Sequence, residues 1–328
     1  MTTRRDLLIA LGVGALAAPL VSFAQQQPAK VPRIGFLGAL SASDFASRVE
    51  ALRAGLRDLG YVEGKNIVIE YRWAEGKYER LPDLAAELVR LKVDVLVTHA
   101  VPGTRAAKQA TTTIPIVMAA GSDPVKGGLV ASLAHPGGNV TGSAFFNLEL
   151  GAKRLELLKE AFPRTRRVAV LLHRDSPVNE QYLQAMEPTA KSLKVGLERF
   201  EVRRPVEFDG AISAMAKKRV DAVVINEEPM LIANAEGIAD LANKHRLPSI
   251  GFKEIAEAGG LMAYGVNILE MYRRAAVFID KVLKGAKPSE LPIEQATRFE
   301  LVINRKTAKA LGLTIPQSIL FRADRVIE

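Results

Sequence analysis

Arg33-Ile34-Gly35-Phe36-Leu37 returns as Arg167-Val168-Ala169-Val170-Leu171, 134 residues further along the chain (33 to 167). Each is a short apolar run led by arginine, and helical periodicity follows each of them. Alternation of that kind marks a parallel sheet covered by helices. Other pairs return in the same order. Val93-Asp94 with Pro102 is matched by Val220-Asp221 with Pro229 at an offset of 127, and Ile114-Pro115 by Leu247-Pro248 at 133. Four ordered matches predict two lobes of like topology in place of one large sheet.

Working outward, residues 33–40 read as a buried strand. Phe45, Val49, Leu52, Leu56 and Leu59 share one helical face, and Gly60 stands where a helix end wants a left-handed residue. Ile67, Ile69, Tyr71 and Trp73 alternate as a half-buried strand. A helix over 80–91, a strand over 93–98, a helix from about Thr104 and a strand over 114–118 complete the first lobe. The second begins after Phe146 with a helix through Leu155, Leu158 and Phe162. Strands follow at 167–172, near Leu197, and at 222–225, 248–251 and 261–264. The tail holds a long amphipathic helix ending near Leu283, a strand over 299–303 and a short helix over 306–311. It is placed to return to the first lobe and cross again. The expected division is therefore 31–144 plus about 267–291 for the N-terminal lobe and 145–266 plus about 292–328 for the C-terminal one.

Composition narrows the chemistry. A chain of 328 residues holds two domains at roughly 100 to 200 residues each. The absence of cysteine excludes disulfide scaffolds, zinc–thiolate and iron–sulfur sites, thiol nucleophiles and lipid attachment through a cysteine. The net charge of +9 includes no run of five basic residues, and the basic clusters at 164–167 and 217–219 lack interleaved aromatics to stack bases, so a nucleic-acid partner is not expected. The start reads as a signal peptide: Arg4-Arg5, an apolar stretch over 7–23, then Ser22 and Ala24 before a cut that leaves Gln25. The paired arginines point to the twin-arginine route and the segment as a whole to periplasmic export. Gly12-Val13-Gly14-Ala15-Leu16-Ala17 matches a dinucleotide-binding pattern, but no strand precedes it, so no cofactor is expected.

Catalytic patterns are missing. There is no G-x-S-x-G nucleophile elbow and no phosphate-binding G-x-x-x-x-G-K-[ST], and the four histidines have no metal-ligand spacing. The strand ends offer small polar loops, where open α/β sheets bind ligands. Ser41, Ala42 and Ser43 follow the first strand, and Thr104 follows the third; hydroxyls and helix N-terminal amides there favour an anionic group such as a carboxylate. His99, Gly121, Ser122 and Asp123 complete the first lobe's set. Phe146 stands at the crossing, and His173, Ser176, Asn226, Glu227, Phe252 and Tyr264 face them from the second lobe. Donors and aromatics without an activated nucleophile describe a binding pocket better than an active site.

Asp123-Pro124-Val125-Lys126-Gly127-Gly128-Leu129-Val130, Pro136-Gly137-Gly138-Asn139-Val140-Thr141-Gly142, Phe299-Glu300-Leu301-Val302-Ile303-Asn304 and Gly312-Leu313-Thr314-Ile315-Pro316 resemble the ABC-transporter substrate-binding proteins related to tryptophan and tyrosine uptake. The resemblance spans nearly all of the chain after the leader. It implies a type I periplasmic-binding-protein fold, two Rossmann-like lobes joined by a three-crossing hinge with a small solute between them, and a membrane permease of an ABC importer as partner. The expected molecule is a monomeric receptor for a small carboxylate-bearing ligand, with an aromatic or other apolar amino acid favoured. An exported α/β enzyme and a ligand-sensing module without transport remain as alternatives.

Overall fold

The computed structural model describes residues 31–328; the leader read over residues 1–24 lies outside them. The first run of elements is β1 (Arg33–Gly38), α1 (Ala46–Asp58), β2 (Val68–Trp73), α2 (Leu81–Arg90), β3 (Val95–Thr98), α3 (Ala100–Ala110), β4 (Ile116–Ser122) and β5 (Val140–Phe145). The second is α4 (Asn147–Ala161), β6 (Arg167–His173), α5 (Asn179–Ser192), β7 (Gly196–Val202), α6 (Phe208–Lys217), β8 (Ala222–Ile225), α7 (Pro229–Ala233), α8 (Ala235–Lys244), β9 (Ser249–Gly251), α9 (Lys253–Glu257) and β10 (Met262–Val266). The tail adds α10 (Ile268–Leu283), β11 (Glu294–Gln295), β12 (Phe299–Asn304), α11 (Arg305–Leu311), α12 (Gln317–Arg322) and β13 (Arg325–Ile327).

These strands form two sheets, β11-β5-β4-β3-β1-β2 and β13-β12-β10-β9-β8-β6-β7. All neighbours are parallel except β10 and β12. Counted from its own first strand, each sheet repeats the doubly wound order 2-1-3-4-5, which places a switch point between the first and third strands. Ile34, Phe36, Val95 and Val97 in one sheet, and Val168, Val170, Val223 and Val224 in the other, are wholly buried, as parallel strands covered on both faces require. The α/β architecture with two parallel sheets is thus the one expected from the alternating pattern.

The repeated Val-Asp pair has a repeated job. Asp94 N–H donates to the Arg33 carbonyl at 2.7 Å, and its carboxylate accepts from Arg33 N–H at 2.8 Å. Asp221 does the same at the other sheet, donating to the Arg167 carbonyl at 2.8 Å and accepting from the amides of Arg166 and Arg167 at 2.7 and 2.8 Å. Each aspartate fixes the register of the third strand against the first.

Some boundaries differ from the sequence reading. β5 is absent from the sequence reading, yet all six of its residues, Val-Thr-Gly-Ser-Ala-Phe, are buried. Gly142 there takes φ of +130° against the Met118 backbone, an approach a Cβ would block. α3 starts at Ala100, before Thr104, since Pro102 sits in its first turn, where a missing N–H costs nothing. β11 pairs with β5, so the chain returns to the second sheet at 296–298, later than the expected 292. Before that, α10 packs along α1. Among the described residues no helix is long and apolar enough to cross a membrane.

Candidate functional site

The C-terminal ends of both sheets converge on a small cavity of about 40 Å³, well under the roughly 300–1,000 Å³ of pockets that hold a small molecule, so a ligand enters only if the lobes part further. The first lobe supplies Leu40 after β1, Phe45 and Arg48 at the start of α1, and His99 and Ala100 at the start of α3. Ala120 and Ser122 come from β4, Phe145 from the end of β5, and Ile268 and Tyr272 from α10. The second lobe closes it with Glu227 after β8 and with Pro229 and Ile232 of α7. Most of this wall is apolar. Phe45 forms its centre, with ring centroids 4.4 Å from His99, 6.4 Å from Tyr272 and 5.9 Å from Trp73 behind it.

Four polar groups interrupt the apolar wall. Glu227 is buried and held by Arg154, whose side chain is wholly buried; Nη2 donates to Oε2 at 2.7 Å and Nε to the Tyr264 carbonyl at 2.7 Å. Burial pushes the Glu227 carboxyl up from its ordinary value, and the Arg154 charge opposes that. Gly265 makes room for the pair, since a Cβ there would stand 3.1 Å from Arg154 Nη2 and 3.2 Å from Glu227 Oε2. Arg48 lies over the Phe45 ring at 5.1 Å. It donates to the Asp44 carbonyl at 3.0 Å and to Glu254 at 3.2 Å, leaving three of its five N–H donors. His99 is 4% exposed, and neither ring nitrogen has a hydrogen-bond partner. Burial, then the Arg48 charge, pushes its pKa down to about 3, so the ring is neutral. Ser122 is the fourth. Ala100, beside His99, has φ of +53°, a strained value for a residue with a side chain.

Side-chain contacts tie the lobes across the cleft. Arg48 reaches Glu254 of α9. Tyr78 Oη donates to Glu228 Oε1 at 2.6 Å, and its ring lies 5.2 Å from that of His173. The His173 Nδ1 is 3.6 Å from Glu228, too far for a hydrogen bond. Burial pushes the proton affinity of both Glu228 and Tyr78 upward.

Of the residues singled out from sequence, His99, Ser122 and Glu227 line the cavity and the others do not. Ser41 bonds its hydroxyl and amide to Asp44 and shares a bond with Ser43, and Ala42 is exposed, so that loop satisfies itself. Thr104 lies inside α3 and donates to the Ala100 carbonyl at 2.8 Å. The expected pair of helix-end hydroxyls is therefore not the polar set of the cavity. Gly121 packs on Met118. Asp123 Oδ2 accepts from Leu148 N–H at 3.3 Å at the start of α4. Phe146 caps that helix, and Asn226 accepts from Asn147 at 2.8 Å. Ser176 closes a turn onto the His173 carbonyl. Phe252 is core, and Tyr264 stacks on Phe299 at 5.9 Å beside the crossing.

The aromatic wall thus comes from the first lobe and α10, not from Phe252 and Tyr264. Phe45 and Tyr272 were legible only as core faces of helices, where a pocket aromatic looks the same as a packing one. Arg48 carried a signal: it stands three residues after Phe45, on the apolar side of α1, where a solvated arginine has no reason to be.

The chain is 28% identical over 260 residues to the tyrosine-binding protein of Clostridioides difficile (strain R20291), an overlap of 79% of this chain and 74% of that one. A conserved domain protein of Vibrio cholerae superposes with a TM-score of 0.84 at 28% identity, over 90% of this chain and all of that one. An ABC domain from Streptococcus pneumoniae in complex with L-Trp gives 0.84 at 26% identity, over 90% and 99%. The two sheets are those of the type I periplasmic-binding-protein fold. The family model described as ABC transporter substrate binding protein matches residues 34–327, and the chain belongs to that family, a solute-binding receptor.

Proposed function

We propose that this protein is the exported receptor of an ABC importer, that it is not an enzyme, and that it captures an apolar, preferably aromatic, α-amino acid between its lobes and delivers it to a membrane permease. One observation carries the reading: a largely apolar cavity with one buried carboxylate, Glu227, from one lobe and one guanidinium, Arg48, from the other. An α-amino acid has one ammonium and one carboxylate, so each end finds an opposite charge while its side chain lies among Phe45, Phe145 and Tyr272. Ser122 and His99 both line the cavity, but neither His99 ring nitrogen has a hydrogen-bond partner, so no hydroxyl is paired with that base, which fits binding without turnover. The relatives named for tyrosine and solved with L-Trp support the same class.

A thermal-shift panel of amino acids, aromatic acids lacking the amine, sugars and nucleosides tests it. Aromatic amino acids at about 100 times their Kd should add ~2.7 kcal/mol to stability by mass action. Glu227→Gln should weaken them at least tenfold, as the loss of a buried ammonium partner of this strength costs about 2 kcal/mol or more. Stabilisation by sugars alone, or by des-amino acids as strongly as by amino acids, would remove the basis for the assignment.

A further inference from the structure

We propose that His99 is a specificity-determining residue that hydrogen-bonds a polar atom on the ring of the ligand, so that the site selects amino acids with a phenol or indole over phenylalanine. The inference rests on the reading of the cavity as an amino-acid site. It starts from an accounting of polar groups. A zwitterion occupies Glu227 with its ammonium and Arg48 with its carboxylate, and both of those protein groups already have partners of their own. His99 has none. Both its ring nitrogens are buried and without a hydrogen-bond partner, while the ring itself lines the cavity.

The surroundings say which part of a ligand it meets. The His99 ring lies 4.4 Å from Phe45 and 6.3 Å from Tyr272, so it belongs to the aromatic wall that receives an apolar body. Kept neutral by burial, the imidazole offers one donor and one acceptor. A phenol hydroxyl can use either, and an indole N–H can use the acceptor. A phenyl ring can use neither, and it would seal a polar group against an apolar surface. A site built to hydrogen-bond a ligand group rejects the analogue lacking it far more strongly than it rejects one of different size. Ala100 holds its left-handed conformation next to His99, a local strain of the kind found where backbone geometry fixes a functional side chain.

The test is calorimetric titration of L-Tyr, L-Trp and L-Phe into wild type, His99→Leu and His99→Gln. Wild type should bind the better of tyrosine and tryptophan at least tenfold more tightly than phenylalanine. In His99→Leu that ratio should collapse to below about threefold, and His99→Gln, which still donates and accepts, should restore part of it. Phenylalanine binding wild type within threefold of the other two overturns the proposal. So does a His99→Leu variant that weakens all three equally, because the imidazole would then meet the shared carboxylate. If His99→Leu fails to fold, the wild-type ratio and the glutamine variant decide. Wild type that binds none of the three overturns the aromatic part of the amino-acid reading, and the role of His99 with it.

Discussion

At Asp123 one residue serves the crossing between lobes and leaves a measurable trace. It is 3% exposed, adopts φ of +44°, and spends one carboxylate oxygen on the Leu148 amide at 3.3 Å while the other has no partner. Burial pushes its carboxyl up to about 6, and the Leu148 amide offsets only part of that. The folded protein therefore holds this proton more tightly than the unfolded chain, where the value is 3.8. The sign follows: the stabilisation is whole below about pH 4 and is lost as pH rises through about 6. Asp123→Asn keeps the shape and removes the titration. Between about pH 4 and pH 7 the stability difference between variant and wild type should shift in the variant's favour by on the order of 2 kcal/mol. Urea unfolding at the two pH values checks it, and parallel behaviour of the two proteins would show that Asp123 is ionised without cost.

Among the elements, α10 has the most to say about how the tail shapes the site. It carries Ile268 and Tyr272 into the cavity, and its distance from α1 is set by Gly55, where a Cβ would run into the Arg273 carbonyl and stand 2.9 Å from Ala276 Cβ. Gly55→Ala gains about 1 kcal/mol of helix propensity. A clash with main-chain atoms of a packed neighbour opposes it, at about 1–3 kcal/mol. The clash should win, because a carbonyl cannot rotate away as a side-chain tip can. The variant should then be less stable by about 1 kcal/mol in urea and should bind ligand several-fold more weakly through the displaced Tyr272; a more stable variant would mean that the helices separate freely. Elements of this kind were legible in advance. Apolar periodicity marked α1, α10 and most strands, and the paired Val-Asp runs marked the duplication, because register and burial leave regular spacings in a sequence. β5 left none, since small polar residues are buried there by close backbone approach. The site was legible only where a polar residue stood at a strand end, as with His99, Ser122 and Glu227. Phe45 and Tyr272 look like core in any one-dimensional reading, and the hydroxyls of Ser41 and Thr104 look available until Asp44 and the α3 backbone are seen to take them.

For the whole molecule the question is what holds two lobes around a ligand. The chain passes between the sheets after β5, after β10 and before β12, so a rotation about these strands can separate the lobes without breaking either sheet. Across the cleft, Arg48–Glu254 is partly solvated and worth little. The Tyr78–Glu228 hydrogen bond is another matter: it is 2.6 Å long, partly buried, and made to a buried carboxylate that also accepts from the Met230 amide at 2.9 Å. Opening must expose both groups to water or leave one unpaired. A charge-assisted bond of this type contributes about 1.5–3 kcal/mol, and it exists only in the closed form. Tyr78 does not line the cavity, so Tyr78→Phe leaves the ligand contacts in place and removes only the latch. Stopped-flow binding should therefore show the dissociation rate rising about tenfold or more with little change in association, since encounter takes place with the lobes apart. Solution scattering should show wild type contracting on ligand addition and Tyr78→Phe contracting less completely at equal occupancy. An unchanged dissociation rate would move the closing energy to the ligand's own contacts with Glu227 and Arg48, and the Tyr78 bond would then be a consequence of closure with no share in holding it.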